Sequence, residues 1–464
     1  MSQSFLDLRV AILGAGVTGK AVAKVLHQRG AYVELIDENV NIEAGFPVRQ
    51  PRSIDISNYD ALVISPGWRE SHPLIVSAKA QGLEILNEID IAWNISQEVS
   101  PQQKWLALTG TNGKTTTVEM ATAMLQQAGM KATACGNVGD TVIEAVTADE
   151  PFEFLILELS SFQLHWSKLA HFSTVAILNI ADDHLDWHGS FDAYARAKIS
   201  ILDRAEMAIL NADDDEIIKR SKSWQGRRVF FTLDTPQAGE IGVVENLIVD
   251  RAFVDDAKEA SMIAAIEDIQ PTLPHSVSNA MAAAALARSV GVSYEDIRKA
   301  LSDFHPSHHR MELIHEEGGV SWINDSKATN PHAAQASLRS YLSVIWIAGG
   351  LAKGADMNTL IERTKNRIKA AILIGTDRDL IEAAFVKFSP LTPRIMIDAP
   401  LDYTKGGESN SLMESIVSAA KALVVSGDTV LMAPACASMD QFISYADRGE
   451  RFAYAVTKIV ADEN

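Results

Sequence analysis

The run Gly110-Thr111-Asn112-Gly113-Lys114-Thr115-Thr116 holds the densest potential for chemistry in the chain. Its small residues leave backbone amides exposed for phosphate oxygens. Lys114 can reach the β- and γ-phosphates of a nucleotide, and Thr115 can ligate magnesium. The strict phosphate-loop spacing asks for glycine at 108, where Leu108 stands, so this is a shortened variant. Two acidic positions follow. Glu158 closes the apolar run Phe154–Leu157. A carboxylate there is costly to bury unless it is paired or holds a metal, and the alternative is a strand-end acid turned to solvent. Asp182-Asp183-His184-Leu185-Asp186 follows another apolar run. That puts acids and a histidine at a strand's carboxyl edge, where ligands collect in open α/β sheets; a solvated turn would explain the acids as well.

Gly14-Ala15-Gly16-Val17-Thr18-Gly19 fits GxGxxG between a strand and a helix, and Asp37 closes the next strand. This is a turn on which a diphosphate can sit against a helix N-terminus. By itself it suggests an NAD enzyme, with a ligand-free glycine turn as the alternative. Three more polar loops join strands to helices: Asn324–Pro331 (NDSKATNP), Gly349–Asp356 (GGLAKGAD) and Ala433–Phe442 (APACASMDQF). Each alone amounts to helix capping, with Ser438 as one expected cap. Together they suggest a composite crevice. Cys436 reads as packing, and by composition Lys198 is a surface lysine on the helical stretch Phe191–Leu202.

The elements that must position these residues alternate short β-branched runs with helical stretches, the pattern of an α/β protein with parallel sheets. Strands are expected at Arg9–Leu13, Tyr32–Ile36, Ala61–Ser65, Lys104–Leu108, Phe154–Leu159, Thr174–Ile180, Met207–Leu210, Arg228–Leu233, Val344–Ala348, Ala370–Ile374 and Thr429–Met432. Helices are expected at Asn279–Val290 and Tyr294–Phe304, and linkers at Ser96–Gln103 and His305–Arg310. The acidic stretch 234–270 has no clear period. A length of 464 residues suggests about three domains. With 41 Lys+Arg against 60 Asp+Glu, the net charge of −19 argues against a nucleic-acid or anionic-membrane binder. The two cysteines make no disulfide framework, and no Cys/His spacing reads as a zinc site. The N-terminus lacks the pattern of a signal peptide and no apolar run is long enough to span a bilayer, so the expected location is the cytoplasm.

In their order, the loop 110–116, the run Glu158-Leu159-Ser160-Ser161-Phe162-Gln163-Leu164 and Asp183-His184-Leu185-Asp186 resemble the Mur ligases. The runs 324–331 and Cys436–Phe442 resemble the branch of that family that adds D-glutamate. The resemblance implies three α/β domains. These are a Rossmann-like UDP-binding domain (1–98), a central phosphate-loop ATPase-type domain with a parallel or mixed sheet (99–305), and a Rossmann-like amino-acid-binding domain (306–464). It implies a monomeric enzyme that uses ATP and Mg2+ to join D-glutamate to UDP-N-acetylmuramoyl-L-alanine for peptidoglycan precursor synthesis.

By the same match, Gly14, Gly16, Thr18, Gly19, Asp37, Ser65, Pro66 and Gly67 contact the nucleotide-sugar, and Asn137 and Ser160 hold its remainder. ATP falls to Gly110, Thr111, Asn112, Gly113, Lys114, Thr115, Thr116, Asn279, Arg310 and Asp325. Thr115, Glu158, His184 and Lys198, the last as a carbamate, are the implied metal ligands; Lys114, Glu158, His184 and Lys198 are the implied catalytic set. Lys327, Thr329, Lys353, Ser438 and Tyr445 match the D-glutamate pocket.

Overall fold

The computed structural model describes residues 5–256, 258–400, 403–407 and 409–461. Among them, strands form three sheets, of five, nine and six strands. The first is parallel throughout and the other two are mostly parallel, with antiparallel strands towards one edge. Parallel strands with helical crossovers are apolar along their length because helices cover both faces. Leu13, Leu108, Ile156 and Met432 are all fully buried.

The first sheet runs Val48–Arg49, Tyr32–Ile36, Arg9–Leu13, Ala61–Ile64, Glu84–Asn87, parallel throughout. The strand order reverses between Arg9–Leu13 and Ala61–Ile64, so a crevice opens beyond their carboxyl ends. In the second sheet Lys104–Thr109 lies between Phe154–Glu158 and Phe172–Ile177. The third sheet places Thr429–Met432 between Val320–Asn324 and Val344–Gly349.

The chain forms two compact units. One ends at Ile180 and also takes in Asp192–Phe304; it contains the first two sheets. The other joins Ala181–Phe191 to the chain from His305 onwards and contains the third.

Three local expectations need correction. The linker expected at Ser96–Gln103 begins inside a helix, Glu88–Val99, whose buried face includes Ile95 and Ser96. Polar composition had hidden one amphipathic turn. The stretch 234–270 contains Glu240–Val244, Leu247–Asp250 and Ser261–Ala265, which extend the second sheet with two antiparallel pairings. These strands, towards one end of the sheet, are only partly buried, so their apolar signal is diluted. Ser438 caps no helix: it sits in a turn, and Ser444 caps Tyr445–Val456 by accepting from the Asp447 amide at 3.1 Å.

Within the first unit, helix Glu88–Val99 packs against helix Val142–Val146 next to the second sheet. Glu88 is buried there and accepts from the Ile143 amide at 2.8 Å. Burial pushes its carboxyl up from 4.5 to about 7. The folded state therefore holds the Glu88 proton more tightly than the unfolded state. Its contribution to stability declines as pH rises from about 4.5 to about 7, and the loss is complete above that window. Glu88→Gln keeps the acceptor and removes the charge. Thermal unfolding from pH 5 to 8 should show the variant gaining on the wild type as pH rises, by up to roughly 3 kcal/mol. Parallel pH profiles would contradict this.

Candidate active site

The phosphate loop links strand Lys104–Thr109 to helix Lys114–Gln127. Gly113 caps that helix at φ +82°, and a Cβ there would lie 2.3 Å from Asn279 Oδ1. Both conformation and space therefore demand glycine. Asn279 itself is buried on helix Pro274–Ser289. The loop is bracketed by a residue that the sequence did not single out, Asn179. Its side chain accepts from the Asn112 amide at 2.8 Å and donates to the Asn112 carbonyl at 3.0 Å. Its carbonyl accepts from the Thr111 amide at 2.9 Å. The Lys114 ammonium donates to the carbonyls of Gly110 and Thr111, each at 2.9 Å, and so lies folded over the loop. Thr115 and Thr116 begin the helix and are half-buried.

Glu158 is not turned to solvent. It ends strand Phe154–Glu158 with 1% exposure, and its Oε1 accepts from Asn137 Nδ2 at 2.8 Å. The Asn137 amide also binds the Glu158 carbonyl at 2.9 Å. Oε2 is buried without a hydrogen-bond partner. An orphaned carboxylate oxygen is costly in a protein interior, and a cation resolves the cost. A divalent hard ion therefore fits this position. Two residues on, Ser160 caps helix Ser161–Trp166 in a reciprocal box with Gln163. Among the described residues, no group of three or more His, Cys, Asp or Glu forms a ready metal cluster.

Lys198 is not on the surface. It is 2% exposed, and its ammonium donates to the Gly110 carbonyl at 2.7 Å and contacts Thr109 Oγ1 at 3.4 Å. It lies 4.8 Å from the Tyr194 ring centroid, one helical turn away, and the Tyr194 hydroxyl meets Thr111 Oγ1 at 2.8 Å. Tyr194 was missed in sequence, although its i, i+4 spacing to Lys198 was the available signal. Lys114 and Lys198 thus place two ammonium groups on one carbonyl.

At the first sheet, Gly14 takes φ +99°, with Ser65 Oγ 2.7 Å from where a Cβ would be. A Cβ on Gly19 would lie 1.9 Å from the Gly14 carbonyl oxygen. Asp37 accepts from the Ala15 amide at 2.9 Å and the Asn39 amide at 3.0 Å, so it braces the turn. A cavity of about 670 Å³ adjoins, lined by Ser65, Gly67, Trp68, Arg69 and His72 among others. Gly16 caps helix Val17–Gln28, Thr18 lies in its first turn, and Pro66 lies between two cavity-lining residues.

In the second unit the three polar loops do meet. Arg448, fully buried, donates to Ser326 Oγ and the Ser326 carbonyl at 2.9 Å each. It also reaches the Cys436 carbonyl at 3.3 Å and the Gly349 carbonyl at 3.5 Å. One guanidinium fork thereby ties together all three loops, and burial lowers its pKa to about 10. No local pattern marked it. Leu351 and Ala437 exchange backbone bonds at 2.8 and 2.9 Å, which joins the second loop to the third. Lys353 is half-buried at φ +53°. The Lys327 ammonium lies 3.8 Å from the Tyr445 ring centroid. Thr329 is half-buried and Ser438 buried. Asp325, whose carboxyl burial lifts to about 6, accepts from the Met311 amide at 3.2 Å and from the Ser337 hydroxyl. Arg310 donates to Ser307 Oγ at 3.2 Å.

His184 adopts φ +53° at the start of helix Leu185–His188, and its amide binds Asp183 Oδ1 at 2.9 Å. Asp183 Oδ2 accepts from Asn330 Nδ2 at 3.2 Å, so two motifs far apart in sequence share one bond. Cys436 is buried and its thiol is pushed up to about 12, the packing role its surroundings predicted.

Residues 108–287 match the Mur ligase middle domain, and residues 309–436 match the Mur ligase glutamate ligase domain. The UDP-N-acetylmuramoylalanine–D-glutamate ligase of Thermobifida fusca is 43% identical, over 97% of this chain and 98% of that protein. The chain belongs to the Mur ligase family. It shares the fold of a pseudomurein peptide ligase type C from Methanothermus fervidus (TM-score 0.60, 19% identity, 98% and 100% of the two chains). It also shares that of a MurF ligase from Thermotoga maritima solved in complex with ADP (TM-score 0.57, 16% identity, 100% and 97% of the two chains). As a Mur ligase it is an ATP-dependent amide-forming enzyme, and the NAD reading of the first glycine turn falls away. Among the described residues of this Mur ligase, no helix is long and apolar enough to cross a membrane.

Proposed function

We propose that this Mur ligase joins D-glutamate to UDP-N-acetylmuramoyl-L-alanine at the expense of ATP, a cytoplasmic step of peptidoglycan precursor synthesis carried out by a monomer. The observation that carries the reading is a phosphate loop beside a buried carboxylate with an unpartnered oxygen. The choice of amino acid is supported by the full-length similarity to a relative named for D-glutamate. Three domains divide the work, 1–98 for UDP, 99–305 for ATP and 306–464 for the amino acid.

Gly14, Gly16, Thr18, Gly19, Asp37, Ser65, Pro66 and Gly67 take the nucleotide-sugar, with Asn137 and Ser160 at its far end. Residues 110–116 wrap the ATP phosphates, and Asn279, Arg310 and Asp325 complete that site. Thr115, Glu158, His184 and carbamylated Lys198 are the residues that would hold Mg2+. Bound there, the metal neutralises phosphate charge. Lys114 stabilises the γ-phosphoryl group as it moves to the L-alanine carboxylate, giving an acyl phosphate and ADP. The D-glutamate amine then attacks the acyl carbon. A tetrahedral intermediate forms, the amine gives up a proton, and the C–O bond to phosphate breaks as the amide forms.

Lys327 and Lys353 answer the two carboxylates of D-glutamate, beside Thr329, Ser438 and Tyr445. Phosphate release from ATP with UDP-N-acetylmuramoyl-L-alanine should require D-glutamate, and L-glutamate should not replace it. Equal turnover with the two enantiomers would overturn the substrate assignment. Lys353→Ala should raise the KM for D-glutamate by roughly tenfold or more while the KM for ATP stays within about twofold. Equal rises for both substrates would remove Lys353 from the pocket.

A further inference from the structure

The cavity of the first sheet is walled by loop 65–72, between strand Ala61–Ile64 and helix Pro73–Ala80. A segment from beyond the second sheet's strand Phe154–Glu158 holds this loop from behind. Trp166 donates its indole N–H to the Trp68 carbonyl at 3.2 Å. His165 Nε2 meets Glu70 Oε1 at 3.0 Å, and the other Glu70 oxygen accepts from Lys79 at 2.9 Å. The Trp166 ring is 6% exposed and packs in the first sheet's core with Leu74 and Ile75. The carboxyl end of helix Ser161–Trp166 is fastened to the same region. Asn87 Nδ2 donates to the Trp166 carbonyl at 3.0 Å. Asp90 accepts from the amides of Lys168, Leu169 and Ala170 at 2.8, 2.9 and 3.2 Å and from the Ser167 hydroxyl at 2.9 Å. The helix's other end follows Glu158 directly, and the Leu159 amide binds the Leu108 carbonyl at 2.9 Å. A six-residue helix, about 9 Å long, thus runs between the orphaned carboxylate and the back of the cavity wall.

We propose that His165 and Trp166 are positioning residues for nucleotide-sugar binding: through Glu70 and the Trp68 carbonyl they hold loop 65–72 in its ligand-ready shape without touching the ligand. The proposal rests on the reading that this cavity takes the UDP moiety. A loop held in advance costs less to order on binding, so loosening it lowers affinity for that ligand alone. Lys114, by contrast, acts on ATP.

The test is separate calorimetric titration of UDP-N-acetylmuramoyl-L-alanine and ATP into the full-length wild type, Trp166→Phe, His165→Ala and His165→Gln, with thermal unfolding of each. Trp166→Phe keeps an aromatic ring in the core but loses the indole N–H and the volume of its second ring. It should weaken the nucleotide-sugar about fivefold and leave ATP within about twofold. His165→Ala should weaken the nucleotide-sugar about threefold, and His165→Gln, which still donates to Glu70, should restore it. Unchanged nucleotide-sugar affinity in the folded variants, or equal weakening of both ligands, overturns the positioning role. Should Trp166→Phe fail to fold, the half-exposed His165 pair decides alone. A wild type that does not bind the nucleotide-sugar overturns the reading of the cavity instead.

Discussion

Lys114→Ala is expected to lower turnover at least about a hundredfold, corresponding to about 2.7 kcal/mol of barrier. The Lys114 ammonium donates to the carbonyls of Gly110 and Thr111. Those bonds keep the cation within the loop, where the proposed role in phosphoryl transfer needs it. Alanine removes that charge while Gly113, Asn179 and Asn279 still shape the loop. The loss should therefore appear in kcat, with thermal unfolding near that of the wild type. Steady-state phosphate release against ATP concentration measures it. Near-normal turnover in a folded variant would sink the phosphate-loop assignment.

Lys198→Ala is expected to be folded and largely inactive, with part of its activity restored by short-chain carboxylates at millimolar levels. An ammonium has no lone pair for a metal and would be repelled by one. Addition of carbon dioxide to the neutral amine turns this cation into an anionic oxygen ligand suited to magnesium. The surroundings of Lys198 support the conversion. It is buried, and it shares the Gly110 carbonyl with a second ammonium, an arrangement that like-charge repulsion disfavours. The carbamate keeps one N–H for that carbonyl. Acetate rescue measured by phosphate release is the decisive readout, because the adduct is too labile for routine mass spectrometry. Full activity of Lys198→Ala in carbon-dioxide-depleted buffer would refute the carbamate.

Much of this protein was legible one segment at a time. Arg9–Leu13, Tyr32–Ile36 and Thr429–Met432 have the bounds their apolar runs predict. Strands covered on both faces carry their burial in every residue. The phosphate loop and the glycine turn were equally plain, because an amide cradle is a local backbone shape and only small residues permit it. What stayed hidden depends on partners distant in the chain. The half-exposed strands Glu240–Val244 and Ser261–Ala265 mix apolar with polar positions, and their pairing partner, not their composition, makes them strands.

The same division runs through the candidate site. Which side chains could meet phosphate, metal or carboxylate was readable locally, since those capacities belong to residue types and short spacings. That Lys198 is buried against Gly110, that Glu158 keeps one oxygen unpartnered, and that Arg448 gathers Ser326, Gly349 and Cys436 follows from packing between distant segments. Burial and hydrogen-bond satisfaction are properties of what packs around a residue. Those neighbours come from other strands and helices, so no local window of sequence contains them.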